Sequence, residues 1–255
     1  NPLASITGSV QVLRAELELG QEDDELLGIV EREADRLGRL VTDFLSLTRE
    51  ESLQLVDARV GVILRETATL LKNRGLPGNI SIDLDLPYDP ILSIDSERMR
   101  QVFWNLFNNA CQVMASGGSL SISTERVTAD DLGAAPAEEV VGDWDRIGGG
   151  PTPGSPLRPG EGALRIVVSD TGPGIPDESL GRIFDPFYTT RSGGTGLGLA
   201  IVARIVRAHR GVITVQSRVG KGTRFALWLP LGGPFGGREA SAEERDVEEA
   251  VITDG

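Results

Sequence analysis

The stretch from Asp170 to Leu199, DTGPGIPDESLGRIFDPFYTTRSGGTGLGL, constrains this chain more than any other. It holds two glycine-rich turns, Asp170-Thr171-Gly172-Pro173-Gly174 and Gly193-Gly194-Thr195-Gly196-Leu197-Gly198. Between them lies Phe184-Asp185-Pro186-Phe187. Glycine lets backbone N–H groups approach an anion with no Cβ in the way. Two such turns around a connecting segment imply a nucleotide held under a lid. One turn alone is weak evidence; the spacing and the Phe-x-Pro-Phe core make it strong.

Composition sets the limits. A chain of 255 residues allows one large domain or two ordinary ones, and 40% hydrophobic content supplies a core. The net charge of −13 argues against nucleic acid as a partner. The single cysteine, Cys111, excludes an internal disulfide, fits a reducing compartment and reads as buried packing. No apolar run approaches the roughly 20 residues that span a bilayer. No signal peptide is visible, so the expected location is cytoplasmic. The sequence starts at Asn1, not Met, inside a helical pattern. It therefore reads as part of a longer protein, with any sensor or inner-membrane anchor upstream.

Residues 1–50 read as two helices. Leu3, Ile6, Val10, Leu13 and Leu17 follow heptad spacing in the first. Gly20 to Asp24 form a polar break. Leu26, Val30, Ala34, Leu37, Val41, Phe44 and Leu47 form a stripe on the second, with Glu31, Arg32, Asp35 and Arg39 opposite. Two such helices cannot hide both stripes alone, which predicts a four-helix bundle with a second copy; a hairpin packed on the next domain is the alternative. Residues 51–231 read as α+β. Helices are expected over Arg59–Asn73, from an N-cap at Asp95 to about Ala115, and over Gly198–His209. Strands are expected at Ile80–Leu86, Ile91–Ile94, Ser119–Val127 and Leu164–Ser169, with a hairpin of Gly211–Ser217 and Thr223–Leu229. Mostly antiparallel strands with helices on one face predict a two-layer α/β sandwich. Residues 128–162 read as a flexible insertion and 232–255 as an acidic, disordered tail.

The chemistry-bearing residues fall on these elements. Asn105 and Asn109 are four apart in Asn105-Leu106-Phe107-Asn108-Asn109-Ala110, so they share a helix face. Asparagines on a helix surface are usually just solvated or hydrogen-bonded to their surroundings, but at the edge of a buried face their amide oxygens could ligate Mg²⁺, a hard cation that keeps several waters and would neutralise a polyphosphate. Asp170 ends the strand Ile166-Val167-Val168 and can accept a hydrogen bond from an adenine amino group; a turn-capping aspartate is the equal alternative. The helix beginning near Gly198 offers free N–H groups to a phosphate.

In these motifs the chain resembles the catalytic core of two-component sensor histidine kinases, over roughly residues 1–230. The second part resembles the Bergerat ATP-binding fold shared with DNA gyrase, heat-shock chaperones and MutL-type ATPases. Asn105–Ala110 resembles the N box, Asp170–Gly174 the G1 box, Phe184–Phe187 the F box, and Gly194–Leu199 the G2 box. Tyr188-Thr189-Thr190-Arg191 is similar to the nitrogen-regulator and pilus-regulator subgroup, with Arg191 where that group commonly has Lys. The resemblance implies that Asn109 ligates Mg²⁺ and Asn105 contacts phosphate nearby. It implies that Asp170, with Gly172 and Gly174, reads adenine. Gly194, Thr195, Gly196, Leu197 and Gly198 would close a lid, with Phe184, Phe187 and Arg191 beside the nucleotide. The two Phe would also couple nucleotide state to the helical bundle, plain core packing being the alternative.

Asn1-Pro2-Leu3 resembles the end of the family's H box, which places the phosphorylated histidine four residues before Asn1. Asn1 then resembles the residue that positions water for dephosphorylating the partner. The only histidine, His209, reads as structural, capping a helix end or favouring its dipole. The resemblance implies a homodimeric kinase that binds Mg-ATP, phosphorylates the upstream histidine and passes phosphate to a response-regulator aspartate. These residues alone would bind ATP without autophosphorylating. A non-catalytic ATP-binding dimerisation module is the alternative. Another ATPase of the same fold is disfavoured by the heptad helices and by Asn105, where a hydrolytic Glu would stand.

Overall fold

A computed structural model describes residues 2–16, 20–48, 52–76, 79–132, 157–158, 160–191 and 194–233. Asn1, Leu17, Gly193, most of the insertion and nearly all of the acidic tail lie outside the described residues. The chain divides into two compact units.

One unit comprises Asn1–Glu51 with Asp185–Ile201. Its helices are α1, Pro2–Glu16, and α2, Gln21–Thr48. Helix α2 starts earlier than expected, inside the run Gly20 to Asp24 read as the break. Asp24 N–H donates to the Gly20 carbonyl at 3.0 Å, so Gly20 opens α2 and the acidic run is its first turn. Carboxylates suit that position because the helix N-terminus carries partial positive charge. Val10 and Ala34 are buried. Arg14 pairs with Asp24 at 2.8 Å and Glu31 at 3.1 Å. The α2 stripe stays open: Leu26, Val30, Leu37 and Val41 are 44 to 60% exposed.

The other unit, Ser52–Phe184 with Val202–Gly255, holds the sheets. Strand β1, Val56–Arg59, pairs antiparallel with β3, Ile91–Ile94. Helix α3, Val60–Asn73, follows β1 directly. Its second residue is capped from afar, Gly61 N–H donating to Asp89 Oδ1 at 2.7 Å. Strand β2, Ile80–Asp85, runs parallel to β4, Gly118–Thr128. Strand β5, Gly162–Asp170, lies antiparallel between β4 and β7, Gly222–Pro230, and β6, Val212–Arg218, forms the far edge. The order is thus β2-β4-β5-β7-β6, antiparallel except at one edge. Short helices at Ala129–Leu132 and α5, Asp177–Leu180, and strand β1 were not expected. Each is four residues long, too short to show a period.

Helix α4, Ser96–Val113, packs on β4 and β5. Asp95 caps it as expected, accepting from Arg98 N–H at 3.1 Å. Phe103, Leu106 and Phe107 are fully buried, as are Leu120, Ile122, Leu164, Ile166 and Leu227 from the sheet. Helix α6, Gly198–Ala208, begins in the first unit and ends in the second. The opposite face of the sheet is also partly sealed. Ala163, Val167, Val212, Ala226 and Trp228 bury a patch with Leu157, from the stretch read as a solvated insertion. Arg165 lies over the Trp228 ring at 5.6 Å.

Candidate functional site

Asp170 stands at the end of the central strand β5 and is 6% exposed. Its Oδ1 accepts from Gly172 N–H at 2.8 Å and Thr223 N–H at 3.3 Å. No described residue bonds Oδ2. Burial raises the Asp170 pKa above its ordinary value, and the two N–H donors pull it back down. The carboxylate is thus oriented through one oxygen, and the other stays an acceptor.

The neighbouring glycines are steric requirements. A Cβ on Gly172 would lie 2.8 Å from Asp170 Oδ1 and 2.9 Å from Val113 Cγ2. Gly174 has φ +76°, and a Cβ there would strike the Arg218 carbonyl. The last turn of α4 therefore abuts the G1 turn. Cys111 reports the same proximity: burial raises its pKa first, and the Asp170 charge adds to it. Asn109 lies one turn back from Val113 and Asn105 two turns back, about 6 and 12 Å along the axis. Both are half-buried on α4. Along α4 from the turn that abuts Gly172, Asn109 comes first and Asn105 second.

Among the described residues no three His, Cys, Asp or Glu cluster as a metal cage. Mg²⁺ takes oxygen donors and keeps several waters beside substrate phosphates, and the α4 amides offer oxygens, though not the carboxylates it more often uses. Phe184 is half-buried and meets Phe225 edge-on at 6.4 Å.

The remaining predicted residues sit in the first unit. Phe187 is 60% exposed and has φ +67°. Its N–H donates to the Gly196 carbonyl at 2.9 Å. Gly196 has φ +68°, and a Cβ there would collide with the Phe187 backbone. This bond ties the F box to the G2 box. The Phe187 ring lies 6.5 Å from Phe44 on α2. Arg191 N–H donates to Thr189 Oγ1 at 3.1 Å, and Gly194 N–H to the Arg191 carbonyl at 3.3 Å. Leu197 N–H reaches Thr195 Oγ1 at 3.4 Å, and Leu197 is fully buried. Gly198 is the first residue of α6, whose N-terminal N–H groups suit an anion. Asn1 lies outside the described residues.

His209 is 1% exposed. Its Nδ1 lies 2.8 Å from the Ile205 carbonyl, and its Nε2 accepts from Asp95 N–H at 3.0 Å. A carbonyl only accepts, so Nδ1 carries the proton and the ring is neutral. It caps α6 by hydrogen bonding, and not by charge on the dipole. Both nitrogens are used, so this ring is no phosphate acceptor.

Sequence reasoning missed Ser217, Gly222 and Thr223. Gly222 has φ +108°, and a Cβ there would strike the Asp170 carbonyl. The pair Gly220 and Gly222 before Thr223 was the available signal, a third glycine turn beside a strand.

Residues 94–233 match the family described as "Histidine kinase-, DNA gyrase B-, and HSP90-like ATPase". Residues 1–53 match the "His Kinase A (phospho-acceptor) domain". The sensor histidine kinase ZraS of Escherichia coli (strain K12) is 32% identical over 232 residues, covering 91% of this chain and 43% of ZraS. Sporulation kinase E of Bacillus subtilis (strain 168) is 29% identical, covering 98% of this chain and 28% of that protein. The chain thus spans less than half the length of either relative. A crystal structure of full-length ShkA in complex with AMPPNP superposes with TM-score 0.66 and 26% identity, over 90% of this chain and 43% of that one. Histidine kinase ThkA, solved in complex with the response regulator protein TrrA, shares the fold with TM-score 0.61 and 24% identity, over 91% of this chain and 58% of that one.

Proposed function

Because this chain belongs to the histidine kinase-, DNA gyrase B- and HSP90-like ATPase family and forms a two-component histidine kinase catalytic core, we propose that its site binds Mg-ATP for transfer of the γ-phosphoryl group to a histidine of the whole protein. The observation that carries this is Asp170: a buried carboxylate held through Oδ1 by two backbone N–H groups. Oδ2 is the acceptor for the adenine amino group. Asn109 holds Mg²⁺ through its amide oxygen, and Asn105 steadies the phosphates one turn further along α4. A Mg²⁺ held there would supply charge neutralisation for the polyphosphate. The N–H groups opening α6 suit phosphate oxygens, and Gly194, Thr195, Gly196 and Leu197 would act as the lid, with Arg191 adding positive charge. Phe184 anchors the start of the lid. Phe187, tied to Gly196 and packed on Phe44, links lid position to α2. Phosphoryl transfer of this kind is mostly positioning and charge neutralisation, which this donor set provides.

The whole protein would work as a homodimer joined through residues 1–50, passing phosphate to an aspartate on a response-regulator receiver domain. Asn1 would position water for the reverse, dephosphorylating step. The open α2 stripe supports the dimer, and the phospho-acceptor match over residues 1–53 supports the phosphate route. Among the described residues no helix is long and apolar enough to cross a membrane. The test uses the whole protein with γ-labelled ATP and Mg²⁺. An acid-labile, base-stable label supports the kinase; bound ATP without label makes the chain a nucleotide-gated scaffold.

A further inference from the structure

We propose that Ser217 is a positioning residue that sets nucleobase selectivity, by fixing which way the Thr223 hydroxyl points its proton. The inference rests on the ATP-site reading above and assigns a residue that reading does not use.

Ser217 is 3% exposed on β6. Its Oγ lies 2.8 Å from the Gly222 carbonyl, 2.8 Å from Ile175 N and 2.9 Å from Thr223 Oγ1. A hydroxyl has one proton and two lone pairs. The carbonyl can only accept, so it takes the proton. The Ile175 N–H can only donate, so it takes one lone pair. Thr223 must therefore donate its own proton to the second lone pair. Ser217 is saturated, and the Thr223 proton is committed away from any ligand.

Thr223 pairs directly with Asp170 across β7 and β5, so the two side chains share one face of the sheet. Its own N–H is spent on Asp170 Oδ1. What this corner offers a base is acceptors only: Asp170 Oδ2 and the remaining lone pairs of Thr223 Oγ1. A 6-amino purine supplies donors there. A 6-oxo purine sets a carbonyl against two acceptors, and a buried acceptor without a donor is costly. Without Ser217, the Thr223 hydroxyl rotates and can donate to the 6-oxo group. The same serine also holds the G1 turn, because Ile175 follows Gly174 directly, and Gly220 N–H donates to the Pro173 carbonyl beside it at 2.8 Å.

The experiment measures Kd for ATP and for GTP at one Mg²⁺ concentration, on the full chain and on Ser217→Ala and Ser217→Thr. The expected result is an ATP-over-GTP preference that falls about tenfold or more in Ser217→Ala and returns in Ser217→Thr, which restores the hydroxyl. A purely structural serine would weaken both nucleotides alike and leave the ratio unchanged, and that result overturns the proposal. If Ser217→Ala shows no cooperative unfolding, Thr223→Val is read instead: it removes the committed hydroxyl, and an unchanged ratio there overturns the proposal equally. Failure of the unsubstituted chain to bind either nucleotide is a different outcome, since it removes the ATP site itself.

Discussion

The two oxygens of Asp170 have separate tasks, and each leaves a measurable trace. Oδ1 holds the turn and Oδ2 awaits a donor. Asp170→Asn replaces the free acceptor and should weaken ATP binding by about 1–3 kcal/mol, read by calorimetric titration. An unchanged affinity removes Asp170 from the site. The same substitution should stabilise the nucleotide-free chain at neutral pH. Burial raises the folded pKa above 3.8, so ionisation costs stability. That cost is absent below the ordinary value, grows as pH rises toward the folded pKa, and is full above it. Melting temperatures of the two forms should therefore differ at pH 7 and converge below about pH 3.8. Asp170 was legible because one strand end and its glycines are local in sequence. Thr223 was not, since it reaches Asp170 from 53 residues away, and strand pairing brings it there.

Helices α4 and α6 are fastened together by one imidazole. The Asp95 cap and the apolar face of α4 were legible, because capping and periodicity are local signals. The His209 bond to Asp95 N–H was not, at 114 residues of separation. Burial holds the His209 pKa below 6.5, opposed by the Ile205 carbonyl and the Asp95 charge and helped by Arg98. The unfolded chain takes up a proton near 6.5 while the fold keeps the ring neutral. Stability is therefore full above that value and falls as pH drops through it toward the folded pKa. The unfolding midpoint should decline from pH 7.5 to 5.5, and His209→Gln should flatten that slope. A slope unchanged by the substitution would place the titration elsewhere. Asp89 is a second fastening. Asp89→Ala strips the cap from α3 and should cost about 0.5–2 kcal/mol in a denaturant titration.

At the scale of the whole molecule, the apolar stripe of α2 calls for a second copy. Leu37 and Val41 are each 50% exposed. The chain should sediment as a dimer, and Leu37→Asp with Val41→Asp should yield a monomer that still binds ATP. A monomeric parent chain would contradict this. The sandwich was legible in outline, from strand alternation and helix periodicity. Sheet order was not, because the parallel β2–β4 pairing is set by packing across the core and leaves no local mark. Nor was the seating of Leu157, a lone apolar residue in a Gly- and Pro-rich stretch. That seat has a consequence for how such chains diverge. Thr128 and Gly162 face each other in the β4–β5 ladder, Ala129 N–H donates to the Glu161 carbonyl at 2.8 Å, and Glu161 pairs with Arg210 at 3.2 Å. With both ends clasped, doubling the length of what lies between costs only about 0.6 kcal/mol in closure entropy. This hairpin tip is a berth where evolution can trade sequence, or an engineer can graft a foreign module, at little expense to the fold that carries it.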